Sequence, residues 1–300
     1  MKLLTKRETL QQSIALMALM AAINIVVSVV AAFSIIASVF LILVLPLTST
    51  IVTISCKEKY FPVYAIATIG LSLVATIWNI DVTLFCVVPS IISGFVFGFC
   101  IKRSIYFGWS IIVASVIQTA FSFAILPLIN VFFEVDFIGD LLKIFKISDA
   151  IPGQIFIAVS FYLVALIQTF LSFIIVKNEI SKFIDNTLNE SGYKYFCFLG
   201  AVTAVASGPV ALLSIGAAYA LELLSFTVAG FVIYESFKQK LNKQLFVSLG
   251  TLVINIFVVA IFYSFIPDYY GLLIFGLTPL VICLVSFCVF LLKKSGHDIK

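Results

Sequence analysis

Long hydrophobic runs fill this sequence, and its basic residues are confined almost entirely to every second gap between the runs. A bilayer core about 30 Å thick is crossed by about 20 helical residues. Runs of about that length cover residues 10–32, 35–55, 62–78, 82–101, 105–129, 154–176, 195–213, 216–236, 245–266 and 272–292. Because 63% of the residues are hydrophobic and only 11% are charged, the chain has too little charge to cover a water-soluble globule. The sequence predicts an all-α, polytopic transmembrane helical bundle with about ten spans.

The distribution of charge predicts how these spans are oriented, because basic residues are retained on the cytoplasmic side of a membrane. With the N-terminus inside, sixteen of the eighteen basic residues fall on that side: Lys2, Lys6, Arg7, Lys57, Lys59, Lys102, Arg103, Lys177, Lys182, Lys194, Lys238, Lys240, Lys243, Lys293, Lys294 and Lys300. The outer gaps hold only Lys143 and Lys146, together with Asp81, Glu134, Asp136, Asp140, Asp149 and Asp268. Miscounting by one span would mix the two sets, so both termini are predicted to be cytoplasmic.

Two of the span boundaries depend on weak sequence signals. Residues 9–55 and 195–237 are nearly continuous apolar stretches, and either would overshoot the bilayer as a single helix. In the first stretch, only the small residues at 31–34 favour a turn. In the second stretch, Gly208–Pro209 favours a break, and Gly216 also permits a turn. We therefore expect a helix end near each of these positions.

Two of the gaps have the periodicity of amphipathic helices. The outer segment 136–147 places apolar side chains on one side and Asp140 and Lys143 on the other, which predicts a helix at the membrane interface or a lid over an outward-facing pocket. The inner segment 178–194 has apolar residues at helical spacing: Ile180, Phe183, Ile184, Thr187 and Leu188. This cytoplasmic segment is predicted to anchor on the membrane surface or to bind a partner.

Few polar side chains interrupt the predicted spans, and buried polar groups in a membrane usually face the bundle interior. The amides Asn24, Gln118, Gln168 and Asn255 are suited to hydrogen bonds between helices. Glu222 is the one ionisable residue well inside a span, about a turn and a half from its outer end. It is therefore a candidate for a proton or cation site, although it could also reach the outer water.

The sequence lacks the residues that several classes of function require. The sequence contains no nucleotide-binding loop, no zinc-protease motif and no nucleophile elbow, so we expect neither an enzyme nor a cofactor. The six cysteines form no C-x-x-C pair, and the single histidine, His297, lies in the polar tail, so no metal site is expected. The net charge of +4 resides in short loops beside spans, which argues against binding to nucleic acid.

The N-terminal third carries loose hydrophobic motifs: SIALMALMAAINIVVSVV, LILVLPLTSTIVTI and, after a short basic turn, PSIISGFVFGFCIKRS, with a further patch, LLSFTVAGFVIYESFKQK, at 223–240. They resemble the uncharacterised bacterial YybS-like membrane family, which is similar to the substrate-binding S components of energy-coupling factor (ECF) vitamin transporters. The resemblance is best over residues 10–104. It implies a protein of the bacterial plasma membrane that binds a small-molecule solute from outside and is powered by cytoplasmic ATPases through a transmembrane coupling subunit.

The resemblance also implies roles for individual residues. Small residues on the first helix of an S component contact the coupling subunit, and Ala15, Ala18 and Ala22 match that pattern, although alanine stripes also serve packing within one chain. A solute pocket would open outward and be lined by Trp78, Asn79, Asp81, Gln118, Asn130 and Gln154. Residues 1–177 would form the six-helix S-like module, 178–194 the amphipathic segment and 195–300 a four-helix module that S components lack.

Two other functions stay open at this level. A membrane scaffold would use its small-residue helix faces and the inner amphipathic segment to hold other membrane proteins and would bind no solute. A proton-coupled secondary transporter would use Glu222, although such proteins normally carry several ionisable groups along a path.

Overall fold

The computed structural model of the chain describes residues 9–134, 136–147, 149–181, 192–238, 242–262 and 272–294. Its regular elements within these ranges are all helices: α1 (Leu10–Phe33), α2 (Ile35–Val44), α3 (Pro46–Ser55), α4 (Phe61–Ala75), α5 (Ile80–Lys102), α6 (Phe107–Phe133), α7 (Phe137–Ile144), α8 (Ala150–Ser181), α9 (Tyr193–Ala211), α10 (Ile215–Lys238), α11 (Asn242–Phe262) and α12 (Leu277–Lys294). Short 3-10 turns at Glu58–Tyr60 and Leu272–Gly276 precede α4 and α12. The prediction of an all-α protein is confirmed for the described residues.

Six helices in the described ranges are long and apolar enough to cross a membrane, namely α1, α5, α6, α8, α9 and α10. Two shorter apolar stretches, Ile42–Ser55 and Leu273–Val289, lie within the predicted spans 35–55 and 272–292. These helices and the composition are those of an integral membrane protein. The number of spans and their orientation stay predictions.

The apolar stretch 9–55 is broken at two places. α1 ends at Phe33 because Ser34 adopts an extended backbone, with φ −149° and ψ 118°, which places the first break at the small residues of 31–34, as predicted. A second break separates α2 from α3 at Pro46, a proline within the predicted span 35–55. Proline has no N–H and clashes with the preceding turn, so it is tolerated at the start of a helix and interrupts its interior.

α5 contains a wider helical turn near its N-terminal end. Residues Thr83–Val87 form a π-helical stretch, and Pro89 follows directly within the next turn. Since Pro89 has no N–H to donate to the carbonyl one turn earlier, the helix is locally irregular there. The irregular turn lies close to Trp78–Asp81, the segment predicted to contact solute.

The described chain separates into two compact units. Unit 1 contains residues 1–135 and 163–191, and unit 2 contains residues 136–162 and 192–300, so α8 contributes to both. Within unit 1, α1 packs on α3 and α4, α3 packs on α5, and α5 packs on α6. Within unit 2, α9 packs on α10 and α12, and α11 packs on α12. The predicted modules 1–177, 178–194 and 195–300 stay a prediction, and residues 182–191 of the middle segment lie outside the described residues.

In unit 1, two separate contacts each join connections that were predicted to lie on the same side of the membrane. Glu58, in the α3–α4 connection, contacts both Lys102 and Arg103, which follow α5, with N–O distances of 3.5 Å. At another position, the side chain of Asn79 donates a hydrogen bond of 3.0 Å to the carbonyl of Ala32, joining the α4–α5 connection to the end of α1. The connections that Glu58 joins are gaps predicted to be cytoplasmic, and the connections that Asn79 joins are gaps predicted to be external.

The outer amphipathic segment forms helix α7, as its periodicity predicts. The Asp136 side chain accepts a hydrogen bond of 3.0 Å from the backbone N–H of Gly139 and so caps the helix. One turn along the helix, Lys143 donates to Asp140 at 3.0 Å, and this hydrogen bond raises the pKa of the exposed Lys143 side chain. The helix is confirmed, whereas its position at the membrane interface stays a prediction.

Candidate functional site

The predicted partner-binding face of α1 is exposed. Ala15, Ala18 and Ala22 all lie on the outer surface of the helix. The opposite face, which includes Met17 and Met20, is buried against the other helices of unit 1. The alanine stripe is therefore not used for packing within the described part of this chain.

Large exposed apolar side chains flank the three alanines. Ile14, Leu19 and Ile23 are between 41% and 52% exposed, so the alanines form a shallow channel between them. A stripe of small residues lets a second helix approach closely, while the flanking side chains supply contact area on both sides. This shape is suited to a transmembrane helix of another subunit.

Three of the six predicted solute contacts lie together in unit 1. Trp78, Asn79 and Asp81 occupy the connection between α4 and the start of α5. The Trp78 side chain is 61% exposed, and its ring lies 6.2 Å from that of Phe33 at the end of α1. Asp81 is exposed as well, whereas Asn79 is engaged by the carbonyl of Ala32. Of these three side chains, only Trp78 and Asp81 therefore present their polar or aromatic groups outward.

Of the other predicted contacts, Gln118 and Asn130 lie on α6 and Gln154 lies in unit 2. Gln118 is buried in the middle of α6, where its amide nitrogen donates to the side-chain oxygen of Gln168 on α8. Asn130 is half-buried near the end of α6. Gln154 belongs to unit 2, where its side chain is exposed and its backbone carbonyl lies against Gly216 of α10.

A buried polar network in unit 1 joins α1, α3 and α4. Asn24 donates a hydrogen bond of 2.9 Å to the hydroxyl of Tyr64 and accepts one of 2.7 Å from Thr48. The hydroxyl of Ser49 lies 3.4 Å from that of Tyr64. These four side chains are at most 8% exposed, and they satisfy one another, so Asn24 acts as the interhelical bond that its position predicts.

Two glycines on α5, spaced as G-x-x-x-G, bring that helix unusually close to α3. A Cβ atom added to Gly94 would lie 2.6 Å from the Cβ of Ser49, and one added to Gly98 would lie 2.6 Å from the Cβ of Thr53. Thr50 then donates a hydrogen bond of 3.0 Å across the interface to the carbonyl of Gly94. This G-x-x-x-G motif is present in the sequence, but the sequence analysis predicted a helix contact only for the alanine stripe of α1.

Glu222 lies in the interior of unit 2 and is only 5% exposed. The position of Gly276, in the 3-10 turn before α12, adjoins both the Glu222 side chain and the hydroxyl of Ser207 on α9. The prediction that Glu222 could reach outer water is not favoured by this burial. Around the same turn, Asn255 on α11 donates to the carbonyl of Phe275 and to the hydroxyl of Thr278.

Within the part of the chain that the structure describes, no three His, Cys, Asp or Glu side chains gather in a way that could hold a metal ion. The prediction that the chain is not an enzyme stays a prediction. In comparisons with protein-family models, with characterised proteins and with solved structures, the chain has no match.

Proposed function

We propose that this chain is the membrane-embedded subunit of a solute-uptake complex, with a role similar to that of an ECF S component, in the bacterial plasma membrane. The exposed alanine face of α1 is the single observation that carries this proposal. Ala15, Ala18 and Ala22 would receive a helix of the transmembrane coupling subunit. The energy would come from cytoplasmic ATPases bound to that subunit, since this sequence contains no nucleotide-binding loop.

The proposal includes ten crossings with both termini in the cytoplasm. Two contacts in unit 1 support it: Glu58 lies beside Lys102 and Arg103, and Asn79 bonds to Ala32. Each contact joins gaps that an even, N-inside threading places on one side of the bilayer. In a cysteine-free background, an impermeant thiol reagent added to intact cells should label Asp81→Cys and leave Lys59→Cys unlabelled. The reverse pattern would reject this topology.

Affinity purification of the full chain in mild detergent tests the docking face. Wild-type protein should co-purify with a membrane coupling subunit and ATPases. The double substitution Ala18→Leu, Ala22→Leu should abolish this association, because two added isobutyl groups fill the channel into which the partner helix fits. Ala67→Leu is the matched control, since Ala67 is also exposed in unit 1 but lies on α4.

Three results of this affinity purification would count against the docking role, the uptake function or the assay itself. Retention of the ATPases by the α1 double variant would remove the docking role of the alanine face. Absence of ATPases from the wild-type complex would reject uptake altogether. Loss of the partners from Ala67→Leu as well would show that the assay reports general damage to unit 1 and not the α1 face.

A membrane scaffold is the second candidate, and one observation favours it. Asn79 and Gln118, two of the six predicted solute contacts, already bond to protein groups, Ala32 and Gln168 respectively. A scaffold needs such bonds for helix packing and needs no pocket. Native mass spectrometry of gently extracted protein distinguishes the two functions: a retained small molecule supports uptake, and a complex with unrelated membrane proteins and no small molecule supports the scaffold.

A further inference from the structure

A 3-10 turn leads directly into α12 in the interior of unit 2. It comprises Leu272–Gly276, and helices α9, α10, α11 and α12 all pack around it. Two of its backbone carbonyls, those of Ile274 and Phe275, accept hydrogen bonds from a side chain of α11.

Glu222 reaches this turn from α10. Its Oε2 atom is buried and has no hydrogen-bond partner among the described residues. The backbone amide of Gly276 lies beside this carboxyl group, and the hydroxyl of Ser207 on α9 also borders the position of Gly276. The described ion pairs of unit 2 do not involve this carboxyl, because Lys238 pairs with Glu235 and Lys143 with Asp140. Within the described ranges, a carboxylate in this place has no cationic side chain paired with it to balance its charge.

Asn255 reaches the same turn from α11. Its Nδ2 atom donates to the carbonyls of Ile274 and Phe275, at 3.4 and 3.1 Å, and these acceptors determine which way the amide faces. Its Oδ1 atom is then directed away from them, and within the described ranges it is buried without a hydrogen-bond donor. The side chain as a whole is 3% exposed.

The turn is thus bordered by two buried oxygens that lack donors, one of them on a carboxyl group. We propose that Glu222 and Asn255, with the Ser207 hydroxyl beside the turn, form a binding site for a single monovalent metal cation of the sodium class. A bound cation would take the place of the missing hydrogen-bond donors, because it interacts with the lone pairs of both oxygens and balances the negative charge of the carboxylate.

The charge of the site selects the class of ion. A divalent cation is normally held by several carboxylates, and no other acidic side chain in the described ranges joins Glu222 to form such a cluster. One carboxylate balances one positive charge. The site lies wholly within unit 2 and does not depend on the docking role proposed for α1, so each proposal can fail without the other.

Sodium binding to the full chain in lipid nanodiscs tests the site directly. Radioactive sodium should bind saturably to the wild-type protein. Replacing choline chloride by sodium chloride at equal ionic strength should raise Tm by roughly 2 to 5 °C at a sodium concentration about ten times Kd. Glu222→Gln should weaken sodium binding at least about tenfold and remove the shift, because the amide keeps the shape of the side chain but removes its charge. Asn255→Ala should weaken binding as well.

Glu235→Gln is the matched control. Glu235 is a second buried glutamate on α10, only 2% exposed, but it pairs with Lys238 at 3.5 Å. This variant should keep the sodium-dependent shift. If Glu222→Gln fails to fold, the comparison of sodium with choline on the wild-type protein still decides the question.

Three results would overturn the proposal. The first is the absence of saturable sodium binding to the wild-type protein. The second is unchanged binding by folded Glu222→Gln. The third is stabilisation by lower pH with no response to sodium, which would assign Glu222 as a neutral, protonated carboxyl group and not as a cation ligand.

Discussion

Replacing Gly94 by alanine should separate α5 from α3 and destabilise unit 1. The added Cβ would lie 2.6 Å from the Cβ of Ser49 and closer still to the carbonyl oxygen of Pro46. Reaching an ordinary contact of at least 3.4 Å with that oxygen requires the helices to move apart by about 1 Å at this point. A gap of that size forfeits a quarter to a half of the dispersion energy of the atoms that face it.

The expected magnitude follows from three contributions. Overpacking costs about 1 to 3 kcal/mol. Weakening the Thr50 hydrogen bond to the Gly94 carbonyl adds up to about 1.7 kcal/mol, and the better helix propensity of alanine returns up to about 1 kcal/mol. With the middle of each range, the free energy of unfolding should fall by about 2 kcal/mol.

Gly70→Ala provides the control, because a Cβ at Gly70 on α4 would meet no atom within 4 Å. This variant should be unchanged or more stable by up to about 1 kcal/mol. Unfolding of both variants in mixed micelles of mild detergent and SDS, followed by circular dichroism, measures the difference. If Gly94→Ala is as stable as Gly70→Ala, the close approach of α3 and α5 is not a source of stability and the packing argument is wrong.

Two further substitutions test local interactions. Tyr64→Phe removes the hydroxyl that accepts the 2.9 Å bond from Asn24, so the same unfolding assay should show a loss of about 0.6 to 2 kcal/mol, and an unchanged stability would mean that the network contributes nothing. Asp136→Ala removes the N-terminal cap of α7 at a cost of about 1 kcal/mol, which should appear as faster amide exchange confined to Phe137–Ile144, whereas unchanged exchange would show that the cap does not hold this helix.

Local patterns predicted much of the helical structure. The end of α1 at Ser34 and the formation of α7 followed from small residues and amphipathic periodicity, which act within one or two turns of chain. The break at Pro46 and the irregular turn next to Pro89 are local effects of the same kind, since both prolines stand within predicted spans.

The partners of individual polar side chains were not predictable in the same way. Asn24 and Tyr64 are 40 residues apart, and Gln118 and Gln168 are 50 residues apart. The sequence correctly suggested interhelical bonds for these amides, but it assigned Gln118 to a solute pocket as well. Helix rotation decides which of two polar residues meet, and a hydrophobic sequence with weak amphipathicity does not determine that rotation.

By itself, the sequence determined that this is an all-α protein of the membrane, because the free energy of placing apolar helices in lipid depends on composition and length along each short segment. Only the tertiary structure decided which surfaces are left for other molecules. It exposed Ala18 and Ala22 while burying Asn24, and it brought Glu222 and Asn255 to one 3-10 turn. These outcomes depend on how helices that are distant in the sequence pack together. Because any apolar helix face is about equally stable in lipid, close packing and hydrogen bonds decide which face of each helix contacts the rest of the protein.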